Sequence, residues 1–129
     1  MYIIEKLFSF SSSHQLKGLP SSHGCSRLHG HNYSAIFTFK KPTLNDVGFV
    51  VDYRELDVIK QWIDAQVDHR HLNEIFEFNP TAELIAKHFY EVWSKTFEDL
   101  SSVTIMETPK TAATYEPFLI TDRKRLHTR

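Results

Sequence analysis

Two histidines separated by a single glycine, His29 and His31 in the run LHGHNYSAIFTFK, carry the clearest chemical potential in this sequence. On an extended chain, side chains two positions apart project from one face, so both imidazoles can reach a single ion from one direction. His14, at the end of MYIIEKLFSFSSSH, is a third donor of the same kind. Three neutral imidazoles with no further protein ligand describe a catalytic zinc site whose fourth position stays open to water or substrate oxygen. Taken singly, each histidine reads more simply as a hydrogen-bonded core or surface residue. Convergence of three on one point is what argues for a metal.

Cys25 precedes His29 by four positions and admits three readings. It could close the zinc site as a fourth, structural ligand. It could be a buried, inert thiol, the usual role of a lone cysteine. It could also be a reactive thiolate whose pKa is lowered by the neighbouring ion, acting as base or nucleophile. Asp68 and His69 in VDHRHLN place an acid beside a histidine that it could orient or share a proton with; the plain alternative is a polar connection between helices. Glu107 shares a strand face with Val103 and Ile105, where an unpaired carboxylate is costly. It therefore needs a partner: either the two N–H donors of a heterocycle edge, or an Arg or Lys.

These residues need elements to position them. From Tyr2 to His14 the apolar positions recur with period two, with His14 on the face of Phe8 and Phe10, which predicts a strand. The stretch from Lys17 to Ser26 is rich in Gly, Pro and Ser and reads as a functional loop. The next segment alternates again, with His29, His31, Tyr33, Ala35, Phe37 and Phe39 on one face. If these two strands pair antiparallel through the loop, the end of the first meets the start of the second and the three imidazoles converge. Phe49 to Val51 is expected to form a short strand running into Asp52. Asp52 and Glu55 resemble a capping box for a helix reaching about Val67, with Leu56, Ile59 and Ile63 at helical spacing. Asn79 and Pro80 signal a second helix start, with Pro80 at the first helical position and Leu84, Ile85, His88, Phe89 and Val92 along it. Val103 to Thr108 and Thr111 to Glu116 read as a closing hairpin. The order β-β-α-α-β-β favours an α+β sandwich, two helices on one face of an antiparallel sheet. Leu7 and Ile36 keep the second face partly apolar, so that face and at least one sheet edge point to a homo-oligomer.

At 129 residues the chain has the size of one domain. Its 15 basic and 16 acidic residues give a net charge of -1, which disfavours a general polyanion binder or an anionic-membrane protein. The single cysteine excludes an internal disulfide and a zinc ribbon and fits a cytoplasmic compartment. No apolar run approaches the ~20 residues of a membrane span, and the start MYIIEKLF is unlike a secretory signal. The tail from about residue 118 to 129, ending in TDRKRLHTR, is basic. Nucleic-acid binding through it is a rival reading, as is a non-enzymatic zinc module closed by Cys25.

The motifs FSFSSSHQL, CSRLHGHNY, GFVVDYREL, DHRHLN, NPTAELIAKHF and IMETP, in this order, cover most of residues 2 to 116. In them the chain resembles the 6-pyruvoyl-tetrahydropterin synthase and QueD family of tunnelling-fold (T-fold) pterin enzymes. The resemblance implies one T-fold domain over residues 1–129 and assembly as a hexamer, a dimer of trimers with active sites at subunit interfaces. It implies Zn2+ on His14, His29 and His31, Cys25 as catalytic cysteine, and Asp68 with His69 as a proton relay. It implies Glu107 as the anchor of the pterin ring, with Thr81 and Glu83 in a pterin-contacting segment. Ala82 departs from the pattern, since relatives often carry Ser or Thr there. Arg27 and Lys17 are candidates for contact with a substrate triphosphate, against the plain reading of solvated surface charges. The short spacing from Cys25 to His29 resembles the 6-carboxy-tetrahydropterin synthase branch of queuosine precursor synthesis, which converts 7,8-dihydroneopterin triphosphate to 6-carboxy-tetrahydropterin, acetaldehyde and triphosphate. The pyruvoyl-forming branch is the runner-up.

Overall fold

A computed structural model describes residues 1–118 of the chain; the basic tail beyond them lies outside the described residues. Strand β1 (Tyr2–His14) leads through a loop containing a single turn of 3-10 helix (Gly24–Ser26) into β2 (His29–Lys41). A second 3-10 turn (Tyr53–Leu56) runs into α1 (Asp57–Gln66); a one-turn α2 (Leu72–Ile75) and the longer α3 (Ala82–Trp93) follow, then β3 (Leu100–Thr108) and β4 (Thr111–Tyr115). The strands form one antiparallel sheet in the order β1-β2-β3-β4. No described helix is long and apolar enough to cross a membrane. The expected α+β architecture is what forms, with α2 as an added turn inside the segment expected to be a bare connection.

The period-two pattern decides the sheet. Phe8 and Phe10 of β1 and Tyr33, Ala35, Phe37 and Phe39 of β2 all turn to one face and are buried there. Helices α1 and α3 cover that face with Ile59, Ile63, Ile85, Ala86 and Phe89, which lie at helical spacing. Tyr33 stacks flat on Phe10 at 4.7 Å between centroids, and Phe8 meets Phe37 edge-on at 5.6 Å. Burying aromatic rings of this size stabilises each element by about 1.5–3 kcal/mol per side chain. The opposite face carries Ile3 and Leu7, which are 55% and 53% exposed.

Three local expectations are corrected. Phe49–Val51 forms no strand: the Phe49 carbonyl accepts from the Asn45 N–H at 3.0 Å, and the Phe49 N–H donates to Asn45 Oδ1 at 2.9 Å, so this backbone closes a loop on itself instead of joining a ladder. Asp52 accepts from the Arg54 N–H and caps the 3-10 turn rather than α1 directly. Pro80 lies outside α3, whose N-cap is Thr81, accepting from the Leu84 N–H at 3.2 Å.

Candidate metal centre

Antiparallel pairing of β1 with β2 sets His14 directly opposite His29, the last pair of a ladder that begins at Tyr2 and Lys41. His31 follows His29 on the same face. The ring nitrogens of the three residues that could bind an ion lie within 4.8 Å of one another, with His14 fully buried and the other two half-buried. The rings stand edge to face, with centroids 4.5 to 5.0 Å apart.

Two backbone carbonyls fix the ring orientations. The Nδ1 atom of His14 lies 2.8 Å from the Pro80 carbonyl and that of His29 lies 2.7 Å from the Arg27 carbonyl. A carbonyl only accepts, so each Nδ1 carries a proton and each Nε2 is turned toward the convergence point, as carbonyls behind histidine metal ligands arrange them. Residues that lie outside sequence patterning thus complete the site, because main-chain carbonyls leave no trace in residue type. Tyr33, whose hydroxyl lies 3.2 Å from His14 Nδ1, was visible in the sequence only as a core aromatic. Its burial, with the Glu107 charge adding to it, holds the phenol well above its ordinary pKa and therefore neutral.

Burial is also the main cause that lowers the pKa of His14 and of His31, against the opposing pull of the Glu107 charge. Neutral imidazole is the ligating form. The Nε2 atom of His31 is buried and has no hydrogen-bond partner. Such an orphan ordinarily costs about 1–3 kcal/mol, and an ion at the convergence point would satisfy it. The donor set therefore fits zinc: three converging imidazole nitrogens, two of the rings held from behind by carbonyls, and no cysteine or carboxylate among the clustered atoms.

Glu107 projects from β3 to within 3.7 Å of His31 Nε2. Among the described residues no Arg or Lys pairs with it, so the cationic-partner reading of this carboxylate is not what the fold provides. Cys25 sits half-buried in the 3-10 turn, and its sulfur is not among the atoms that cluster with the three histidines. A fourth-ligand role for it is not supported by this geometry. Arg27 is exposed, and it is its carbonyl, not its charge, that meets the site.

Asp68 and His69 do touch side chain to side chain, with Asp68 Oδ2 2.8 Å from His69 Nδ1. Segment 67–71 runs along the edge of β1: the Ser11 N–H donates to Asp68 Oδ1 at 2.8 Å, the His69 N–H donates to the Ser11 carbonyl at 2.6 Å, and Ser13 bridges to His71. The Ser11 N–H is the leading cause that holds the Asp68 carboxyl below its usual range. His69 has φ 57, a left-handed conformation that costs a non-glycine residue of order 1–3 kcal/mol and clusters at functional sites. Its ring is 82% exposed and, with Ser11, Ser13, Asn32 and His71, borders a cavity of about 470 Å³. Within the described residues neither this ring nor the Cys25 thiol is hydrogen-bonded to the three histidines. Thr81 caps α3 directly after the carbonyl that holds His14, and Glu83 is exposed in the first turn of that helix.

A family model described as 6-pyruvoyl tetrahydropterin synthase matches residues 3–117. The 6-carboxy-5,6,7,8-tetrahydropterin synthase of Bacillus subtilis is 32% identical over 110 residues, covering 75% of this chain and 73% of its own length. The protein of the same name from Synechocystis is 36% identical over 126 residues, covering 89% and 93%. Among solved structures, 6-pyruvoyl tetrahydropterin synthase of Caenorhabditis elegans superposes with a TM-score of 0.80 at 28% identity, covering 91% of this chain and 96% of that one.

Proposed function

The chain belongs to the 6-pyruvoyl tetrahydropterin synthase family, and from that premise we propose that it is a zinc-dependent 6-carboxy-5,6,7,8-tetrahydropterin synthase, a carbon–carbon lyase. Its reaction consumes 7,8-dihydroneopterin triphosphate and water and yields 6-carboxy-tetrahydropterin, acetaldehyde and triphosphate, a step toward queuosine. The observation that carries this reading is the convergence of His14, His29 and His31 with the orphaned Nε2 of His31 beside the Glu107 carboxylate. The names of the Bacillus and Synechocystis relatives support the carboxy-forming branch.

Zinc held by the three histidines would supply Lewis acidity toward the side-chain hydroxyls of the substrate. Glu107 accepts hydrogen bonds from the N–H edge of the pterin and so fixes the ring relative to the histidines. Cys25, as thiolate, removes a carbon-bound proton. His69 returns a proton, its ring oriented by Asp68 across 2.8 Å. Thr81 and Glu83 help to frame the pterin from the start of α3, and Arg27, exposed beside the cysteine turn, is the candidate for contact with the triphosphate.

In this reading the whole chain, residues 1–129, is one cytoplasmic T-fold domain that assembles as a homohexamer. The exposed Ile3 and Leu7 on the uncovered sheet face support a second copy there. The C. elegans neighbour favours a second reading, the pyruvoyl-forming reaction, in which triphosphate leaves and no carbon–carbon bond breaks. Incubating the zinc-loaded protein with 7,8-dihydroneopterin triphosphate and reading product mass and acetaldehyde separates the two. Carboxy-pterin with stoichiometric acetaldehyde establishes the first, a pyruvoyl product the second, and no turnover by intact, zinc-loaded protein overturns both.

A further inference from the structure

Beyond His14 the first strand loses its partner, yet the N–H groups of the next three residues and the carbonyls of Gln15 and Lys17 stay hydrogen-bonded. Asn73, on α2, accepts from the Gln15 N–H through Oδ1 at 2.8 Å and donates from Nδ2 to the Gln15 carbonyl at 2.8 Å. Asn79, ahead of α3, repeats this on Lys17, at 2.9 Å to the N–H and 3.1 Å to the carbonyl. Each side-chain amide imitates a neighbouring strand, offering one donor and one acceptor to a residue that needs both. The residue between them turns the other way: the Leu16 N–H donates to the Cys25 carbonyl at 3.0 Å. Gln15 adds a side-chain bond from Nε2 to the Ser26 carbonyl at 2.8 Å. Residues 15–17 are thus a rail, held on one edge by two asparagines and holding the cysteine turn on the other. The turn's other bonds are local to the loop: the Cys25 N–H donates to His23 Nδ1 at 3.1 Å, the Ser26 N–H and hydroxyl to the His23 carbonyl at 3.0 and 2.7 Å, and the Arg27 N–H to the Gly24 carbonyl at 3.2 Å, so they shape the turn while residues 15–17 tie it to the end of β1.

We propose that Asn73 and Asn79 are positioning residues for Cys25, setting through residues 15–17 where its thiol stands relative to the three-histidine centre. This rests on the reading of Cys25 as a thiol that works beside the metal. An aspartate at either position keeps the acceptor and the shape but loses the donor, setting a carboxylate against a carbonyl. The clamp then opens while all three histidines and their carbonyl partners remain.

The test compares iodoacetamide alkylation of Cys25 in zinc-loaded and zinc-free protein, for the unaltered chain and for the double variant N73D/N79D. A thiol held beside the ion alkylates several-fold faster with zinc, because nearby positive charge raises its thiolate fraction. In the double variant that ratio falls to about one, bound zinc is unchanged, and kcat for the pterin reaction drops at least about tenfold with KM unaltered, as expected when a reacting group is displaced. If the double variant does not fold, N73D and N79D singly give the same readout. A ratio that survives the substitutions, with loss of thermal stability alone, overturns the inference and leaves the assigned activity standing. A ratio of one already in the unaltered chain overturns the catalytic reading of Cys25 and the inference with it.

Discussion

The Nε2 atoms of His14 and His29 face each other across 2.9 Å. Their opposite nitrogens already donate to the carbonyls of Pro80 and Arg27, so without an ion two lone pairs are brought together. That arrangement is favourable only when a cation lies between them or a proton is taken up. Metal binding should therefore contribute to folding stability. The half-buried His29 is the one to remove, because His29→Ala leaves the fully buried His14 and its bond to Pro80 in place. Wild type should bind one zinc per chain and melt higher with zinc than with chelator; at a hundredfold excess over Kd the gain is about 2.7 kcal/mol. His29→Ala should lose most of the zinc, as read by elemental analysis, and its melting temperature should no longer respond to chelator. Retained stoichiometric zinc would count against the site.

Cys25→Ala separates thiol from metal. Since the sulfur is not among the clustered ligand atoms, zinc content should be unchanged. Turnover should fall by at least about a hundredfold, as for loss of a general base. Loss of zinc in this variant would return Cys25 to the role of fourth ligand.

The sheet and its site were legible in the sequence because both follow one periodicity. The alternation that buries Phe8, Phe10, Tyr33 and Phe37 also places His14, His29 and His31, so reading the strands meant reading the three-histidine cluster. Glu107 was legible for the same reason, as a charge on an apolar strand face. Asp68 and His69 could be read from their own residues either as a pair or as a polar connection between helices, and only their contact at 2.8 Å decides for the pair. What joins them to the fold is the edge of β1 and a left-handed backbone at His69, both set by tertiary packing. The asparagines escaped for a related reason: Asn73 and Asn79 bond main-chain groups 58 and 62 residues away, and main-chain partners carry no residue signature. At Phe49–Val51 the apolar run forms no strand, because Asn45 takes the hydrogen bonds that a ladder would need; of the three only Val50 enters the core, while Phe49 is exposed.

His88 packs among Phe76, Phe78 and Trp62, with centroids 5.0, 5.4 and 6.3 Å away, and this burial lowers its pKa below 6.5. With a folded pKa below the unfolded one, its contribution to stability is complete above pH 6.5. As pH falls from there toward the folded pKa, the unfolded chain takes the proton first and stability drops. The slope from one such group is at most about 1.4 kcal/mol per pH unit. Comparing wild type with His88→Phe at matched zinc removes the parallel effect of His14 and His31. Urea midpoints of the variant should fall less steeply between pH 6.5 and 5; equal slopes would mean that His88 titrates alike in both states.

Glu107 stands 3.7 Å from His31 Nε2 with no Arg or Lys to neutralise it among the described residues. Its charge opposes the burial effect on both His14 and His31. A fold gains nothing from such a carboxylate unless a ligand arrives with donors for it, and the N–H edge of a pterin is a ligand of that kind. Glu107→Gln keeps the shape and one acceptor but presents an N–H₂ toward the pterin donors. Loss of a charge-assisted hydrogen bond costs about 1.5–3 kcal/mol, so kcat/KM should fall by roughly 10- to 200-fold. Zinc should remain bound, because the three ligands and the carbonyls behind two of them are untouched. The decisive readout is pterin affinity, followed by fluorescence titration with the product or a dihydropterin. Unchanged affinity in the variant would reassign Glu107 to tuning His31 alone.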